Sequence, residues 1–539
     1  MRKGRFLTDL YLGSGNMERL PRYTDLPLRS EVIEIIKNCD QLSKEYPPHH
    51  LEQYETVPDA LMSKLRQMGF FALTIPESYG GLGLSLGEYL AVVEEIAGRD
   101  LALGILSVAH LSIGTKGIVL FGSEEQQKKY LRPAASGEMI FSYALTEPRR
   151  GSDARNVETT AILSADGSYY LLNGQKTYIT NANYAGGLTV FAQLDAENPG
   201  FMGAFVVETG WDGVQVGRNM PKMGLKASST AAIRFKDVRI PRENLLGQPG
   251  EGFKIAMTIL NYGRLALGAT SAGIMKQSLH DMQRRASKRI QFGVPIDNFE
   301  LVQEKIVKAA VYSYAASAMT NLTAAILDQE PLAPLAIESS HCKLFGTTRA
   351  WDVLYDALQV AGGAGYLTTQ PYEKRMRDFR VTTIFEGTTE IHSVYPATLM
   401  LRSLSKEMKR NCRHRRDEFF FLVKKMFSPL RLAVTSRDRI SRRAVQLIKA
   451  NARRIRWLLC AGLLLYGKNI LHKQFLLRRI TNLSRRIEAA RPRGADLSKE
   501  QLLLSYFVEE AREARARDKR LLVPAREAAH RKVFNSLAH

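Results

Sequence analysis

The sequence predicts a mainly α-helical chain with a central β domain. Three observations carry that reading. Between Leu28 and Gly137 apolar residues recur at helical spacing; from Ile140 to about Gly247 the apolar period falls to two; after Gly252 long helical patterns return. A strongly basic stretch follows, so the order is helices, a strand domain, a helix bundle and a basic tail.

The first helices are expected over Val57–Met68, where Leu61, Leu65 and Met68 fall on one face, and over Leu86–Ile96. The glycines of Tyr79-Gly80-Gly81-Leu82-Gly83 break the chain between them. In the middle region Asp166-Gly167 and Asn173-Gly174 are hairpin signals, and Val190–Gln193, Ala204–Glu208 and Ala232–Val238 read as short strands. The later helices are expected over Phe253–Ala286, Glu300–Gln329 and Ile337–Gln359. In the tail, Trp457–Tyr466 is uncharged but only ten residues long, whereas a membrane-crossing helix needs about twenty, so no span is predicted; the plain reading is a buried helix.

At 539 residues the chain exceeds one ordinary domain. From Leu401 to His539 there are 35 lysines and arginines against 12 aspartates and glutamates, while residues 1–400 hold 41 against 42. The whole excess of +22 therefore lies in the tail, which implies an anionic partner: a membrane surface, nucleic acid or an acidic protein. Nucleic acid is the weaker of these because no recognition motif accompanies the charge. Cys39, Cys342, Cys412 and Cys460 are scattered, with no Cys-x-x-Cys, and the histidines form no His-Glu-x-x-His, so reduced thiols and no metal site are expected. Met1-Arg-Lys-Gly-Arg-Phe-Leu-Thr-Asp has no apolar signal core, and Asp9 and Glu18 come early for a transit peptide. A cytoplasmic, bacterial protein is the expectation, with room for peripheral attachment to the inner face of the membrane. Gly80-Gly81-Leu82-Gly83 and Gly362-Gly363-Ala364-Gly365 lack the full dinucleotide fingerprint, which argues against a Rossmann unit.

The candidate base is Glu386. Ile384 and Phe385 are placed to desolvate its carboxylate and raise its proton affinity, and Gly387 permits a tight turn with close backbone approach. Such an acid suits proton abstraction beside a carbonyl, although Glu-Gly-Thr alone also reads as a helix start capped by Thr388 or Thr389. Upstream lies a polar loop, Tyr143-Ala144-Leu145-Thr146-Glu147-Pro148-Arg149-Arg150-Gly151-Ser152-Asp153, rich in hydroxyls and backbone donors that suit a flat, polar-edged ring or a phosphate. Leu172–Asn181, Arg289-Ile290-Gln291-Phe292-Gly293 and Gln359–Tyr366 follow.

These segments, in this order and ahead of Glu386, resemble the acyl-CoA dehydrogenase family from about Leu61 to about Leu404. Ala109–Gly114 and Gln474–Ile480 resemble most its very-long-chain branch, whose members carry an added C-terminal helical region. The resemblance implies an N-terminal helical domain over 28–139, a middle β-barrel-like domain over 140–250, a C-terminal four-helix bundle over 251–405 and a basic helical extension over 406–539.

It also implies roles. FAD would lie between the strand domain and the helix bundle, its adenosine end reaching a neighbouring subunit of a homodimer. Glu386 would remove the α-proton of an acyl-CoA thioester as the β-hydrogen leaves as hydride, with backbone at Glu386 and Gly387 against the thioester. Tyr143, Leu145, Thr146, Gly151, Tyr178 and Thr180 match the flavin-lining positions, Ser152 a flavin and substrate contact, and Thr388 and Glu390 flavin contacts after the base. Arg289, Gln291, Phe292, Gln359 and Gly363 match residues that hold a second subunit's FAD, and Arg264 matches the arginine under the base and substrate. The activity implied is trans-2 dehydrogenation of a fatty acyl-CoA in β-oxidation, with electrons passed to an electron-transfer flavoprotein; a flavin-containing scaffold with a vestigial site, or an oxidase, are the other readings.

Some positions depart from the family. Arg149 and Arg150 replace small residues before Gly151, where two cations can meet a phosphate or simply face water. Gly263 stands where relatives with an earlier base carry glutamate, leaving Glu386 as the base. Gly104 is kept at the floor of the acyl pocket but Val108 fills a position often held by glycine, which leaves chain length open. The tail interleaves Arg413, Arg415, Arg416, Lys424 and Lys425 with Phe419-Phe420-Phe421 and Phe427, the composition of an interfacial segment, and 411–456 is the expected contact with anionic lipid.

Overall fold

The computed structural model describes residues 6–16, 28–195, 197–433, 439–490 and 498–520. Parts of the basic extension, 434–438, 491–497 and 521–539, and Glu18 near the N-terminus lie outside the described residues. The described residues form two compact units, one within 25–388 and one made of 1–24 together with 389–539.

In the larger unit the early helices are Ser30–Glu45, Asp59–Gln67 and Leu86–Arg99. The last is started by Ser85 and Glu88, whose side chains cap each other's backbone, and it buries Leu90, Val93 and Ile96 on one face. Leu101–Phe121 continues as helix, π-helix over Val108–Gly114, and helix again. This 21-residue stretch is long and apolar enough to cross a membrane, with mean hydropathy 1.6 over an 18-residue window, yet 89% of that window is buried in the fold.

The middle region forms an eight-stranded sheet in the order Val214–Val216, Thr230–Pro241, Tyr169–Thr180, Thr160–Leu163, Ala185–Gln193, Met202–Glu208, Leu245–Leu246, with Ile140–Ala144 pairing in parallel with Ala185–Gln193. Leu172, Ile179, Val190, Phe205, Ile233 and Val238 meet in its core. Asp166-Gly167 turns the antiparallel hairpin between Thr160–Leu163 and Tyr169–Thr180, as expected. Asn173-Gly174 does not. Tyr169–Thr180 runs through it as one strand, and the register shift between Leu172 and Gly174 marks a bulge. The reason is packing: Gly174 has φ +144°, and a Cβ there would lie 2.6 Å from Thr159 Oγ1. The dipeptide that reads as a turn serves instead as a close backbone approach.

The helical expectations beyond Gly252 hold closely, with Gly252–Lys288, Glu300–Gln329 and Ala336–Ala361 as the long members of the bundle. The first of these has no single apolar face, since residues all round it are buried from Asn261 to Met275. A further helix, Thr389–Asn411, belongs to the second unit.

That second unit contains Phe6–Leu12, Arg415–Phe427, Arg439–Tyr466, Gln474–Ala489 and Ser498–Arg520, with a short parallel pairing of Ser14–Asn16 and Arg431–Ala433. The uncharged stretch Trp457–Tyr466 closes a 28-residue helix. Leu458, Leu459 and Cys460 on it are buried while Trp457 and Leu465 are exposed, so it is amphipathic and only one side is packed.

Candidate active site

Glu386 is delivered by a strained turn. The chain leaves the short helix Arg380–Thr383, places Glu386 at φ +57° and Gly387 at φ +95°, and enters the next helix at Thr389. A non-glycine residue in the left-handed region costs about 1 kcal/mol or more and needs its surroundings to hold it there. One support is explicit: Lys343, fully buried in the Ala336–Ala361 helix, donates from Nζ to the Gly387 carbonyl at 2.5 Å.

The carboxyl itself packs against the Gly252–Lys288 helix at a small position. A Cβ on Gly263 would lie 3.2 Å from Glu386 Oε2 and 2.8 Å from Ile113 Cγ2. Burial raises the Glu386 proton affinity to about 7, against the opposing pull of the Arg264 and Lys343 cations. Of the two residues expected to desolvate it, Ile384 is 51% exposed and Phe385 is half-buried; Gly263 and Ile113, from elements far away in the chain, also pack at this position, since a Cβ on Gly263 would meet both Ile113 and the carboxyl.

Arg264 is buried rather than solvated, and its Nη1 donates to Asn261 Oδ1 at 3.4 Å, an acceptor it shares with Ser339 Oγ at 2.9 Å. Tyr143 reaches the same group from the strand domain. Its hydroxyl donates to the Ala256 carbonyl at 3.3 Å, and burial, then Glu386, hold its phenol well above the usual range while Arg264 opposes them. Glu386, Gly387, Arg264 and Tyr143 thus bring together an acid of near-neutral affinity, a cation and a phenol that stays protonated. That set can take a proton and stabilise developing negative charge.

From Tyr143 the chain leads into buried Leu145 and half-buried Thr146, and Thr177 N–H donates to the Thr146 carbonyl at 2.9 Å, which sets Tyr178 and Thr180 beside that loop. Tyr178 has φ +56° at a second register shift of its strand and is 68% exposed. Gly151 and Ser152 are exposed further along the loop. Two residues that sequence reasoning passed over brace this arrangement. Lys176 and Glu147, both buried, pair at 2.7 Å; Lys176 also donates to the Leu145 carbonyl at 3.2 Å, and Glu147 accepts from Thr159 N at 2.9 Å and Glu158 N at 2.5 Å. Despite burial, Lys176 holds Glu147 below the usual carboxylate range.

The remaining expected positions form a second group. Arg289, Gln291 and Phe292 lie on the small hairpin Ile290–Gln291 with Val294–Pro295, where Phe292 has φ +52° and is 94% exposed. Gln359 and Gly363 are exposed at the end of the Ala336–Ala361 helix, and Arg285 Nη2 donates to the Ala361 carbonyl at 3.4 Å, linking that end to the helix that leads into the hairpin. Thr388 is half-buried next to the base turn, whereas Glu390 is exposed on the Thr389–Asn411 helix of the other unit.

Both groups fit a flavin dinucleotide. Around Thr146 and Tyr178 there are hydroxyls, backbone donors and the exposed Tyr178 ring, groups that suit a ring with polar edges. Around Arg289 there are a cation, two amides, an exposed aromatic ring and open space at the Cβ positions of Gly362 and Gly363, which suit a pyrophosphate and a purine. Gly104, expected at an acyl-pocket floor, has a Cβ position 3.1 Å from the Ala97 Cβ, so its smallness lets two helices approach. Val108 is buried at the start of the π-helix.

The N-terminal, middle and C-terminal domains described for acyl-CoA dehydrogenases match residues 34–138, 142–238 and 250–395. The very long-chain specific acyl-CoA dehydrogenase of Macaca fascicularis mitochondria is 40% identical over 367 residues, covering 67% of this chain and 56% of that protein. A probable acyl-CoA dehydrogenase of Bacillus subtilis is 37% identical, covering 65% of this chain and 61% of its own length. The match thus spans little more than half the length of these relatives. Among solved structures, an acyl-CoA dehydrogenase complexed with FAD from Bacillus anthracis aligns at TM-score 0.79 and 30% identity over 95% of this chain and 90% of its own. Butyryl-CoA dehydrogenase from Megasphaera elsdenii aligns at 0.66 and 32% over 70% of this chain and all of that one.

Proposed function

Because the chain belongs to the acyl-CoA dehydrogenase family, we propose that it is an FAD-dependent dehydrogenase that converts a long-chain fatty acyl-CoA to the trans-2-enoyl-CoA. The observation that carries the reading is the buried carboxyl of Glu386 against Gly263, with a proton affinity near 7 and Arg264 beside it.

In this mechanism Glu386 takes the α-proton. An affinity near working pH keeps a useful fraction ionised yet leaves it basic enough to accept a proton from carbon. The left-handed turn at Glu386 and Gly387 presents backbone to the thioester oxygen, where negative charge develops as the proton leaves. Arg264 offsets the buried charge before transfer, and Tyr143 stays a protonated phenol near the carboxyl. Tyr143, Leu145, Thr146, Gly151, Ser152, Tyr178, Thr180 and Thr388 would hold the flavin of this subunit; Arg289, Gln291, Phe292, Gln359 and Gly363 would hold the adenosine end of the flavin of a second subunit in a homodimer, with Glu390 as a further contact. When bound, the flavin supplies the acceptor for the β-hydride. The electrons then pass to an electron-transfer flavoprotein. The domain boundaries that suit this division of labour are 28–139, 140–250, 251–405 and 406–539.

The tail supports a further partner. On the Arg415–Phe427 helix, Phe419, Phe420 and Phe427 are exposed together with Arg415, Arg416 and Lys424, the pairing of rings and cations that an anionic bilayer surface attracts.

The decisive test is anaerobic mixing of the purified flavoprotein with acyl-CoAs of graded length while flavin absorbance is followed. Rapid bleaching that is fastest with long chains is the expected result. Bleaching by none of them overturns the activity, and peroxide release in air without an acceptor protein points to an oxidase.

A further inference from the structure

Among the described residues, Glu386 is faced by Arg264 on Gly252–Lys288, Lys343 on Ala336–Ala361 and Tyr143 on Ile140–Ala144. Lys343 differs from the other two. It is fully buried, it donates to the backbone carbonyl one residue beyond Glu386, and its helix carries it among Ser339, Ser340, His341 and Leu344, all buried. An ammonium placed there loses its hydration, which is costly unless the position does something for the fold or the site.

Resting on the reading of Glu386 as the base, we propose that Lys343 is a positioning residue for it: the 2.5 Å bond to the Gly387 carbonyl fixes the left-handed Glu386-Gly387 turn, and the buried charge beside the carboxyl keeps that acid ionised. Two effects follow from one side chain. Geometrically, the Gly387 carbonyl is held by the lysine and its peptide is locked, so the carboxyl points along a single direction. Electrostatically, the cation opposes the burial that raises Glu386, as Arg264 also does. Lys343 need not touch the substrate for either effect.

The test compares K343Q, which keeps a hydrogen-bond donor but drops the charge, with the wild type as FAD-loaded enzyme. Loss of the charge leaves Arg264 as the cation opposing burial, so the acid limb of the kcat/KM profile moves to higher pH by about one unit, and activity at pH 7 falls about fivefold with KM changed much less than kcat. A superimposed acid limb overturns the inference. If K343Q does not load flavin, K343R decides: it keeps the charge but moves the donor, so kcat falls about tenfold while the limb stays in place, and an unchanged kcat overturns the positioning role. A wild-type flavin that no acyl-CoA bleaches overturns the underlying reading, which separates that failure from a bleached wild type whose K343Q profile is unmoved.

Discussion

The Cα of Gly263 and the carboxyl of Glu386 occupy what would be one side chain's space: a Cβ on Gly263 falls 3.2 Å from Oε2 and 2.8 Å from Ile113 Cγ2. The absence of a side chain at 263 is therefore what lets an acid far along the chain reach the centre of the bundle. Gly263→Ala should displace Ile113 and crowd the carboxyl, costing about 1–3 kcal/mol of stability and lowering kcat more than it raises KM. Thermal unfolding and steady-state rates check it; a fully active, equally stable alanine variant contradicts the arrangement.

Glu386→Gln separates chemistry from burial. The amide keeps the shape and cannot take a proton, so bleaching by acyl-CoA should fall by at least the roughly 10²–10⁴ usual for a general base while flavin stays bound. The same variant carries a stability change of definite sign. Glu386 ionises near 4.5 in the unfolded chain and near 7 in the folded one. Between those values the native state binds more proton than the unfolded state, so this group's contribution to stability falls as pH rises through that window and is constant above it. Glu386→Gln removes the loss and should exceed the wild type by up to about 3 kcal/mol at pH 8, with no advantage near pH 4. Denaturant midpoints at the two pH values check it, and a variant less stable than wild type at pH 8 shows that the carboxylate is not held against its solvation.

His110 acts in the opposite direction. Its Nδ1 accepts from Phe141 N–H at 3.0 Å, which leaves Nε2 to donate to the Ala134 carbonyl at 3.2 Å, so the buried ring is neutral; burial pulls its affinity down to about 4. Stability from this residue is full above about 6.5 and is lost as pH falls toward 4. His110→Gln should flatten the wild type's loss of stability across that window, read as denaturant midpoints at pH 7 and pH 4.5. An unchanged slope assigns the acid sensitivity elsewhere.

Much of this is legible in the sequence. Local periodicity locates the long helices within a residue or two, because their patterns are long and uninterrupted, and the order of motifs leads to Glu386. What is not legible depends on contacts between distant segments. Asn173-Gly174 reads as a turn because the local preference is strong, yet Thr159, just ahead of the neighbouring strand, leaves no room for a Cβ there. Ile384 and Phe385 read as the desolvating pair by adjacency, yet Ile384 is 51% exposed, and the approach of Gly263 and Ile113 to this position comes from tertiary packing. Lys343, Lys176 and Glu147 draw no reading of their own from the sequence, since nothing local distinguishes a charged residue that is buried by its fold. The one available signal for Lys343 is its place inside a long helix otherwise rich in small and apolar residues.

The Lys176–Glu147 pair gives a sharper test of how the loop is held. Lys176→Met leaves Glu147 buried without its cation, and breaking a buried pair from one side costs about 3–5 kcal/mol. Because Lys176 also holds the Leu145 carbonyl, flavin affinity should fall along with stability. Adding Glu147→Gln should restore part of the lost stability, since it removes the stranded charge; a double variant no better than the single one assigns the cost to packing instead.

The tail prediction is independent of the active site. Phe427 is 75% exposed, Phe419 and Phe420 are more than half exposed, and the cations Arg415, Arg416 and Lys424 share their helix. If this helix lies on a bilayer, the protein should pellet with anionic vesicles and hardly with neutral ones, since each basic residue near the surface is worth about a factor of five in partitioning. Salt should release it in part. Replacing Arg413, Arg415, Arg416, Lys424 and Lys425 with glutamine should weaken binding at low salt and leave turnover of a soluble acyl-CoA intact, because Glu386 lies in the other compact unit. Serine at Phe419, Phe420 and Phe421 should weaken it most at high salt, where screening leaves ring burial as the main attraction. Equal pelleting of the wild type and both variants would remove the membrane as partner and leave the exposed rings of this helix as a surface for a protein.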